Sequence, residues 1–509
     1  MNLQRAVRRI GLPAGPLLAG LLYLSLPHEY RSAAGEVVPF TPAGRATLAM
    51  LVWMAVWWMT EAVEIEVTAL LPIVAFPLAG VLPIGLTAAS YGADVVFLFL
   101  GGFVLALAIQ RWGLDRRIAF AVLSLAGTRP AAIVAGVMAA TAAISMWVSN
   151  TATAAMMVPI ALAIVDLALR RRTGRSLAEH AGIPDDDRDT RNLALALLLG
   201  VAYAASIGGL GTIIGSPPNG MFVRFYEQTY GVEISFATWM AVGVPMVLLL
   251  LPLAWWLNTR LLFPTRIGEI EGGRAWVREQ RAGLGPLASG ERVTLAVFAV
   301  TVACWVLRPL LAGIEVAGVR PLAGLTDATI AVAAAIALFL LPVDRAGTRA
   351  MDWATAARLP WGVLILFGGG LALAAAMEVN GAALFIGAQA QALAGAPIVL
   401  VVIAVVALAV FATELMSNTA LTATLLPILA ALAPVFGLPP AMLLLPATIA
   451  ASCAFMMPVA TPPNAIVFGT GLVRMPQMMR AGFWLNLMAI AVISAAAYAL
   501  IGPLLSAWP

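Results

Sequence analysis

Apolar stretches long enough to cross a lipid bilayer follow one another along almost the whole chain. The hydrocarbon core of a bilayer takes about 20 apolar residues in a helix. Of the 509 residues, 62% are hydrophobic and only 11% are charged, far less charge than a soluble protein of this length needs to cover its surface. The runs are continuous and lack the alternation of a membrane barrel, so the sequence predicts an all-α polytopic membrane protein.

Two of these stretches contain the same polar triplet, Ser149-Asn150-Thr151 and Ser417-Asn418-Thr419. Each triplet opens a similar run, SNTATAAMMVP in one case and SNTALTATLLP in the other. The stretches that carry them, 129–170 and 397–434, are too long for one helix. We therefore predict that each is a re-entrant hairpin of two half-helices that meet at the triplet. For the first hairpin this places the arginine-rich loop 170–192 on the cytoplasmic side, where such loops belong.

A second pair of stretches is interrupted by Pro-Pro-Asn. The run 193–229 contains Gly215-Ser216-Pro217-Pro218-Asn219, and the run 441–473 contains Ala460-Thr461-Pro462-Pro463-Asn464. Two consecutive prolines remove amide donors and break a helix. Broken backbone at membrane depth is tolerated only where protein or a wet cavity covers it. These breaks therefore predict a binding site near the middle of the membrane.

The order of these features predicts two halves of opposite orientation. The span 94–112 ends at Arg111, whereas its counterpart 361–379 starts after Arg358, so the two cross the membrane in opposite directions. Inverted repeats with broken helices are typical of secondary transporters. The predicted organisation is an N-terminal segment with the first transmembrane helix (1–43), a first repeat (44–257), a cytoplasmic linker (258–292) and a second repeat (293–509).

The residue inventory excludes several functions. The chain has no lysine, so it has no nucleotide-binding loop of the G-x-x-x-x-G-K-[ST] type, and no nucleotide is expected as a partner. No nucleophile–base pair or His/Cys metal site is apparent in the membrane, so we expect neither an enzyme nor an organic cofactor. The net charge of +4 reflects membrane topology, and no nucleic acid is expected to bind.

No arginine stands where it would neutralise an anion held at the midplane. An uncompensated dianion in low dielectric is prohibitively costly, so bound cations and helix ends must balance it. The sequence thus predicts cation coupling. Simpler interpretations remain for single motifs: the triplets as N-caps, the Pro-Pro-Asn segments as kinks, and Glu414 as a structural hydrogen-bond acceptor instead of a proton carrier.

Five motifs in order resemble the divalent anion/sodium symporter family of di- and tricarboxylate transporters. They are WWMTEAVEIEVTALLP from Trp57, SMWVSNTATAAMMVP from Ser145, SIGGLGTIIGSPPN from Ser206, TELMSNTALTATLLP from Thr413 and SCAFMMPVATPPN from Ser452. The resemblance implies about eleven transmembrane helices plus two re-entrant hairpins, a homodimer, and a transport domain that moves as an elevator. Glu64 and Glu66 depart from the family pattern, away from the predicted site.

The resemblance also implies residue roles. One sodium site would comprise Ser145, Ser149, Asn150 and Gly215. The other would comprise Thr413, Met416 through its backbone, Asn418 and Ala460. The substrate carboxylates would be held by Asn150, Thr151, Ser216, Ser417, Asn418, Thr419 and Thr461.

The function expected on this basis is sodium-coupled symport of C4-dicarboxylates such as succinate, malate or fumarate across the inner membrane of a bacterium. The partners would be the dicarboxylate, sodium ions and the lipid bilayer. The alternatives are a sodium-independent dicarboxylate exchanger and a carrier of another divalent anion such as sulfate or citrate.

Overall fold

The computed structural model describes residues 2–32, 35–179, 183–184, 186–270, 272–316 and 318–501. Parts of the predicted loop 170–192 and the last eight residues of the predicted second repeat lie outside these ranges. Within them the only paired strands are β1 (Glu29–Arg31) and β2 (Val37–Pro39), an antiparallel pair between the first two helices. The predicted all-α membrane fold is confirmed.

The first half of the chain contains eleven α-helices in the described ranges. In chain order they are α1 (Asn2–Ser25), α2 (Pro42–Thr60), α3 (Ile65–Leu78), α4 (Ile84–Ala89), α5 (Asp94–Arg111), α6 (Leu114–Leu123), α7 (Pro130–Ser145), α8 (Asn150–Thr173), α9 (Arg188–Gly208), α10 (Pro217–Tyr230) and α11 (Phe236–Trp256). Helical winding continues after α11 as a π-helical turn through Leu262, beyond the residue 257 at which the sequence placed the end of the first repeat.

The helices of the second half repeat this order after a short linker helix. They are α12 (Gly273–Gly283), α13 (Ser289–Ala312), α14 (Asp327–Leu340), α15 (Trp353–Ala356), α16 (Trp361–Val379), α17 (Ala382–Gln389), α18 (Ile398–Ala412), α19 (Asn418–Leu432), α20 (Ala441–Ala451), α21 (Pro462–Gly469) and α22 (Met475–Ala496).

Eight helical stretches in the described ranges are long and apolar enough to cross a membrane, and five further apolar helices have only 10–17 residues. The short ones include α7 and α18, the first arms of the two hairpins, and α20, the first part of the second broken helix. These helices are short because each of them stops at a polar segment instead of crossing the membrane.

The breaks themselves are set by local chemistry. Ser149 precedes α8 with extended backbone (φ −56°, ψ 142°), and its hydroxyl accepts a hydrogen bond from the Ala152 amide at 3.4 Å. Ser417 precedes α19 in the same conformation (φ −58°, ψ 129°). Pro217 and Pro462 open α10 and α21, where the missing proline N–H would have had no helical partner.

The two halves interlock at their hairpins. Helix α8 packs on α9 of its own half and on α21 of the other half, and α19 packs on α20 and on α10 in the same manner. The rings of Tyr203 in α9 and Phe455 after α20 meet edge to face, with centroids 5.3 Å apart. The hairpins and broken helices of both halves therefore form one packed body.

Glycines allow close helix packing in the rest of the structure, where α5 lies along α14 and α3 lies along α16. A Cβ added at Gly101 would stand 2.5 Å from the carbonyl oxygen of Ala331, and one added at Gly369 would overlap the backbone of Ala69. In membrane proteins, small residues at a helix interface allow the two backbones to approach closely because no side chain lies between them.

The arginine distribution gives a testable topology. In a background without Cys304 and Cys453, we expect Arg175→Cys and Arg278→Cys to react with a membrane-impermeant maleimide only from the cytoplasmic side. Arg320→Cys, between α13 and α14, should react only from the periplasmic side. Side-selective labelling of intact cells and inverted vesicles measures this. Labelling of position 175 from outside would contradict the hairpin assignment.

Candidate substrate and cation site

Four helices begin where the two halves meet. Helices α8 and α19 start directly after the serines of the two triplets, and α10 and α21 start after Ser216 and Thr461. Each helix N-terminus carries a partial positive charge and free amide donors. The residues that precede the four helices all belong to the predicted binding set. Such an arrangement suits an anion.

The first hairpin brings three oxygen atoms together. Ser145 Oγ lies 2.6 Å from Asn150 Oδ1 and 2.8 Å from the Ala205 carbonyl oxygen. A serine hydroxyl has a single proton, so it donates to only one of these two acceptors. The serine oxygen and the second acceptor therefore lie close together with no hydrogen between them, and they repel each other. A cation bound among these oxygens would relieve that repulsion.

The second hairpin repeats this geometry. Thr413 Oγ1 lies 2.6 Å from Asn418 Oδ1 and 2.6 Å from the Ala451 carbonyl oxygen. Thr413 and Ser145 each stand four residues before their triplet. Each half thus contains one hydroxyl, one amide oxygen and one carbonyl oxygen in the same arrangement. Hard cations prefer such oxygen donors.

Glycine allows the first loop to approach the triplet. A Cβ added at Gly209 would stand 2.7 Å from Asn150 Oδ1 and 2.9 Å from the carbonyl oxygen of Gly215. The predicted ligands Asn150 and Gly215 therefore meet at this glycine. Around the second triplet, Met416 and Ala460 are buried, as the first loop's Gly215 is.

The asparagines of the two Pro-Pro-Asn segments stabilise the loops. Asn219 Nδ2 donates to the carbonyl oxygens of Gly209 (2.9 Å) and Thr212 (2.8 Å). Asn464 Nδ2 donates to those of Ala454 (3.2 Å) and Met457 (3.0 Å) in the same way. The sequence marked these segments as helix breaks, but it did not reveal that each asparagine closes its own loop.

The residues predicted to hold carboxylates lie in different environments. Ser216 Oγ is 3.1 Å from Ser452 Oγ, a contact between the two halves. Thr461 Oγ1 accepts a hydrogen bond from the Asn464 amide at 3.4 Å. Thr151 is exposed, whereas Thr419 at the matching position is only 7% exposed.

Ser452 was missing from the sequence-based set. The available signal was its position, because Ser452 opens the motif before the second Pro-Pro-Asn as Ser206 opens the motif before the first. Its contact with Ser216 depends on how the two halves approach each other, which no local pattern encodes.

Glu414 joins the second hairpin to the second loop. Its Oε1 accepts from the amides of Phe455 (2.7 Å) and Met456 (2.9 Å), and its Oε2 accepts from the Met457 amide (2.9 Å). Asn486 Nδ2 in α22 donates to Oε1 as well, at 2.8 Å. Four donors match a carboxylate, which only accepts. The geometry therefore favours the structural interpretation of Glu414 over proton transfer.

In the first half, Met146 stands at the position that matches Glu414. The hydrogen bonds that join the hairpin to the loop are different there. Thr212 Oγ1, in the loop, donates to the backbone carbonyl oxygen of Met146 in the hairpin. The Gly215 amide in turn donates to Thr212 Oγ1 at 3.1 Å. In the first half a loop side chain binds the hairpin backbone, whereas in the second a hairpin side chain binds the loop backbone.

Helical spans, paired hairpins and broken helices in two interlocked halves define a membrane transport protein of the secondary type. Solved structures agree on the fold. The Alcanivorax borkumensis YdaH transporter matches with a TM-score of 0.58 at 13% identity, covering 100% of this chain and 99% of that one. Neisseria gonorrhoeae MtrF, described as illuminating a class of antimetabolite efflux pumps, matches with a TM-score of 0.54 at 10% identity, over 97% and 95% of the two chains.

The sequence comparisons place the chain within a family. The profile described as the sodium:sulfate symporter transmembrane region matches residues 39–508. The sodium-dependent dicarboxylate transporter SdcS of Staphylococcus saprophyticus is 40% identical over 503 residues, 97% of this chain and 92% of that protein. SdcS of Staphylococcus aureus strain USA300 is 40% identical over 492 residues, 96% and 90% of the two chains. This chain belongs to the sodium:sulfate symporter family, as the motifs predicted.

The Glu414 geometry leads to a stability prediction. Glu414→Gln replaces a carboxylate oxygen with an amide that points its own hydrogens at buried donors. Hydrogen bonds to a charged group contribute about 1.5–3 kcal/mol each, so we expect a loss of at least about 3 kcal/mol of stability. Thermal unfolding of the purified protein measures it. Met146→Leu, at the matching position, should unfold like the parent, because Met146 contributes its backbone.

A proton-carrying Glu414 would give the opposite pattern. In that case Glu414→Gln would unfold at the parent temperature, and substrate uptake would lose its dependence on pH. Measuring both properties on the same preparation separates the two roles.

Proposed function

We propose that this protein is a sodium-coupled symporter of C4-dicarboxylates such as succinate, malate and fumarate, located in the inner membrane of a bacterium. The observation that carries the proposal is the pair of matching oxygen clusters, Ser145–Asn150–Ala205 and Thr413–Asn418–Ala451, each beside a helix N-terminus. The relatives that are 40% identical are sodium-dependent dicarboxylate transporters by name, and this supports the same choice.

The two clusters are proposed as sodium sites. The first site would be completed by Ser149 and Gly215, and the second by Met416 through its backbone and by Ala460. All these ligands are neutral oxygens, so they do not cancel the charge of the bound ions. Each sodium ion therefore adds one positive charge to the site. That charge offsets the two negative charges of the substrate, whose burial in low dielectric would otherwise be too costly.

The substrate is proposed to lie between the triplets, with one carboxylate at each. Asn150, Thr151 and Ser216 would hold one end, and Ser417, Asn418, Thr419 and Thr461 the other. Support comes from the N-terminal position of these residues on four helices and from the contact between Ser216 and Ser452 across the halves. Helix N-termini stabilise a carboxylate by their free amides and their dipole.

We further propose that the interlocked hairpins and broken helices move together as the transport body, the elevator arrangement. Their packing across the two halves supports a single moving unit. The complementary unit would contain α1 to α5, α13, α14 and α16. The homodimer rests on the family likeness alone. A second candidate substrate is sulfate, which the name of the sodium:sulfate symporter family favours.

The function is tested by uptake of labelled succinate into proteoliposomes with and without an inward sodium gradient. We expect sodium-driven uptake in the parent and near-complete loss in Asn150→Ala and Asn418→Ala, because each change removes an oxygen from one cluster. Thr422→Ala serves as the control, since among the described residues its hydroxyl donates only to the Asn418 carbonyl oxygen one turn earlier, at 2.9 Å. Uptake that ignores sodium in the parent would favour the exchanger, and uptake of sulfate instead of succinate would favour the second candidate.

A separate experiment tests whether one substrate molecule contacts the triplets of both halves. Thr151→Val and Thr419→Val each remove one hydroxyl while keeping side-chain shape. A hydrogen bond to a charged oxygen is worth about 1.5–3 kcal/mol, so the half-saturating succinate concentration should rise about ten- to a hundredfold in both. Sodium should still protect both variants from proteolysis. If only one substitution weakens binding, the substrate does not bridge the two triplets.

A further inference from the structure

The linker helix α12 forms a basic face over an apolar cavity. Arg274, Arg278 and Arg281 are spaced four and three residues apart, so they share one side of the helix. A cavity of about 190 Å³ lies beside the helix, and all three arginines line it. Its walls are mainly apolar and come from four elements: Leu123 in α6, Ile133 in α7, Ile164 and Leu167 in α8, and Trp276 and Val277 in α12.

Several contacts fix α12 in this position. The Ile270 amide, before the helix, donates to the Thr128 carbonyl oxygen at 3.0 Å. The ring of Trp276 packs edge to face on Phe120 of α6, with centroids 6.0 Å apart. Arg281 Nη1 is 3.5 Å from Ser124 Oγ. These contacts fix the helix α12 against its neighbours, so the cavity has a defined wall on that side.

The arginines beside the cavity form no ion pair with the carboxylates of the described residues, Glu279 of the same helix included. Arg274 and Arg278 are both exposed. Arg171 of α8 adds to the same charge, because a Cβ added at Gly272 would stand 3.1 Å from its Nη2 atom. Like charges at this spacing destabilise a helix. An anion bound among the arginines would reverse that effect.

We propose that this cavity binds an anionic phospholipid of the cytoplasmic leaflet. The phosphate would lie among Arg274, Arg278 and Arg281, and part of an acyl chain would enter the apolar space between α6 and the first hairpin. An amphipathic, arginine-rich helix with a tryptophan on its apolar side is suited to the membrane interface. Basic pockets between helices on the cytoplasmic side recognise anionic headgroups. The two-sided chemistry, cationic rim and apolar walls, favours a lipid over a free phosphate compound.

The test is native mass spectrometry of the purified full-length protein titrated with phosphatidylglycerol. An arginine near an anionic surface contributes about a fivefold gain in affinity. The triple variant Arg274→Gln/Arg278→Gln/Arg281→Gln should therefore need on the order of a hundredfold more lipid for half-saturation. Its matched control is Arg175→Gln/Arg345→Gln/Arg358→Gln, which removes the same charge from exposed positions that do not line the cavity and should bind like the parent.

Additional measurements distinguish a bound lipid from other ligands. Leu167→Trp fills the apolar space, keeps the arginines and should also abolish retention of phosphatidylglycerol. Phosphatidylcholine should not be retained by the parent, and inorganic phosphate or glycerol 3-phosphate should not compete. Equal weakening in both triple variants, retention of phosphatidylcholine, or competition by the soluble phosphates would overturn the proposal. Loss of succinate transport in the parent would not affect it, because the readout is lipid binding.

Discussion

A helix that stops inside a membrane leaves amide and carbonyl groups with no water to bind, and this constraint governs the centre of the molecule. The structure stops helices there in each hairpin and in each broken helix. Some of these groups are bound locally: by Ser149 and Thr461 as N-caps, and by Asn219 and Asn464 across the loops. The hydroxyls of Ser145 and Thr413 meet more oxygen acceptors than they have protons. Several polar groups of the breaks are thus bound within the protein, whereas the buried Oδ1 atoms of Asn219 and Asn464 have no partner among the described residues. Oxygen atoms of this kind are suited to cations.

The packing of the two halves brings two such sets of breaks against each other. Because α21 packs on α8 and α10 packs on α19, each hairpin meets the broken helix of the other half. Helices of both halves begin at these breaks, and none of the predicted site residues is an arginine. A dianion held in this way depends on co-bound cations for its charge balance, which links the geometry to coupling by a physical necessity.

Much of this arrangement was predictable from the sequence because it has strong local signals. Polar triplets and double prolines inside apolar runs determine where helices stop, and the residues next to the stops formed the predicted site. The sequence could not reveal the contact of Ser216 with Ser452 or the loop closure by Asn219, because both depend on tertiary approach. The placement of α12 over an apolar cavity also lay beyond it, since a short amphipathic helix fits many surfaces.

The different joins between hairpin and loop give the two halves different tolerance to sequence change. In the second half the loop contributes three backbone amides to Glu414, so the join places no demand on the side chains at positions 455–457. It depends instead on the carboxylate. In the first half the hairpin contributes only the carbonyl oxygen of Met146, and the hydroxyl of Thr212 is the group that must be kept. The hydrogen bonds of the two joins therefore require a particular side chain on opposite partners, the hairpin in the second half and the loop in the first half.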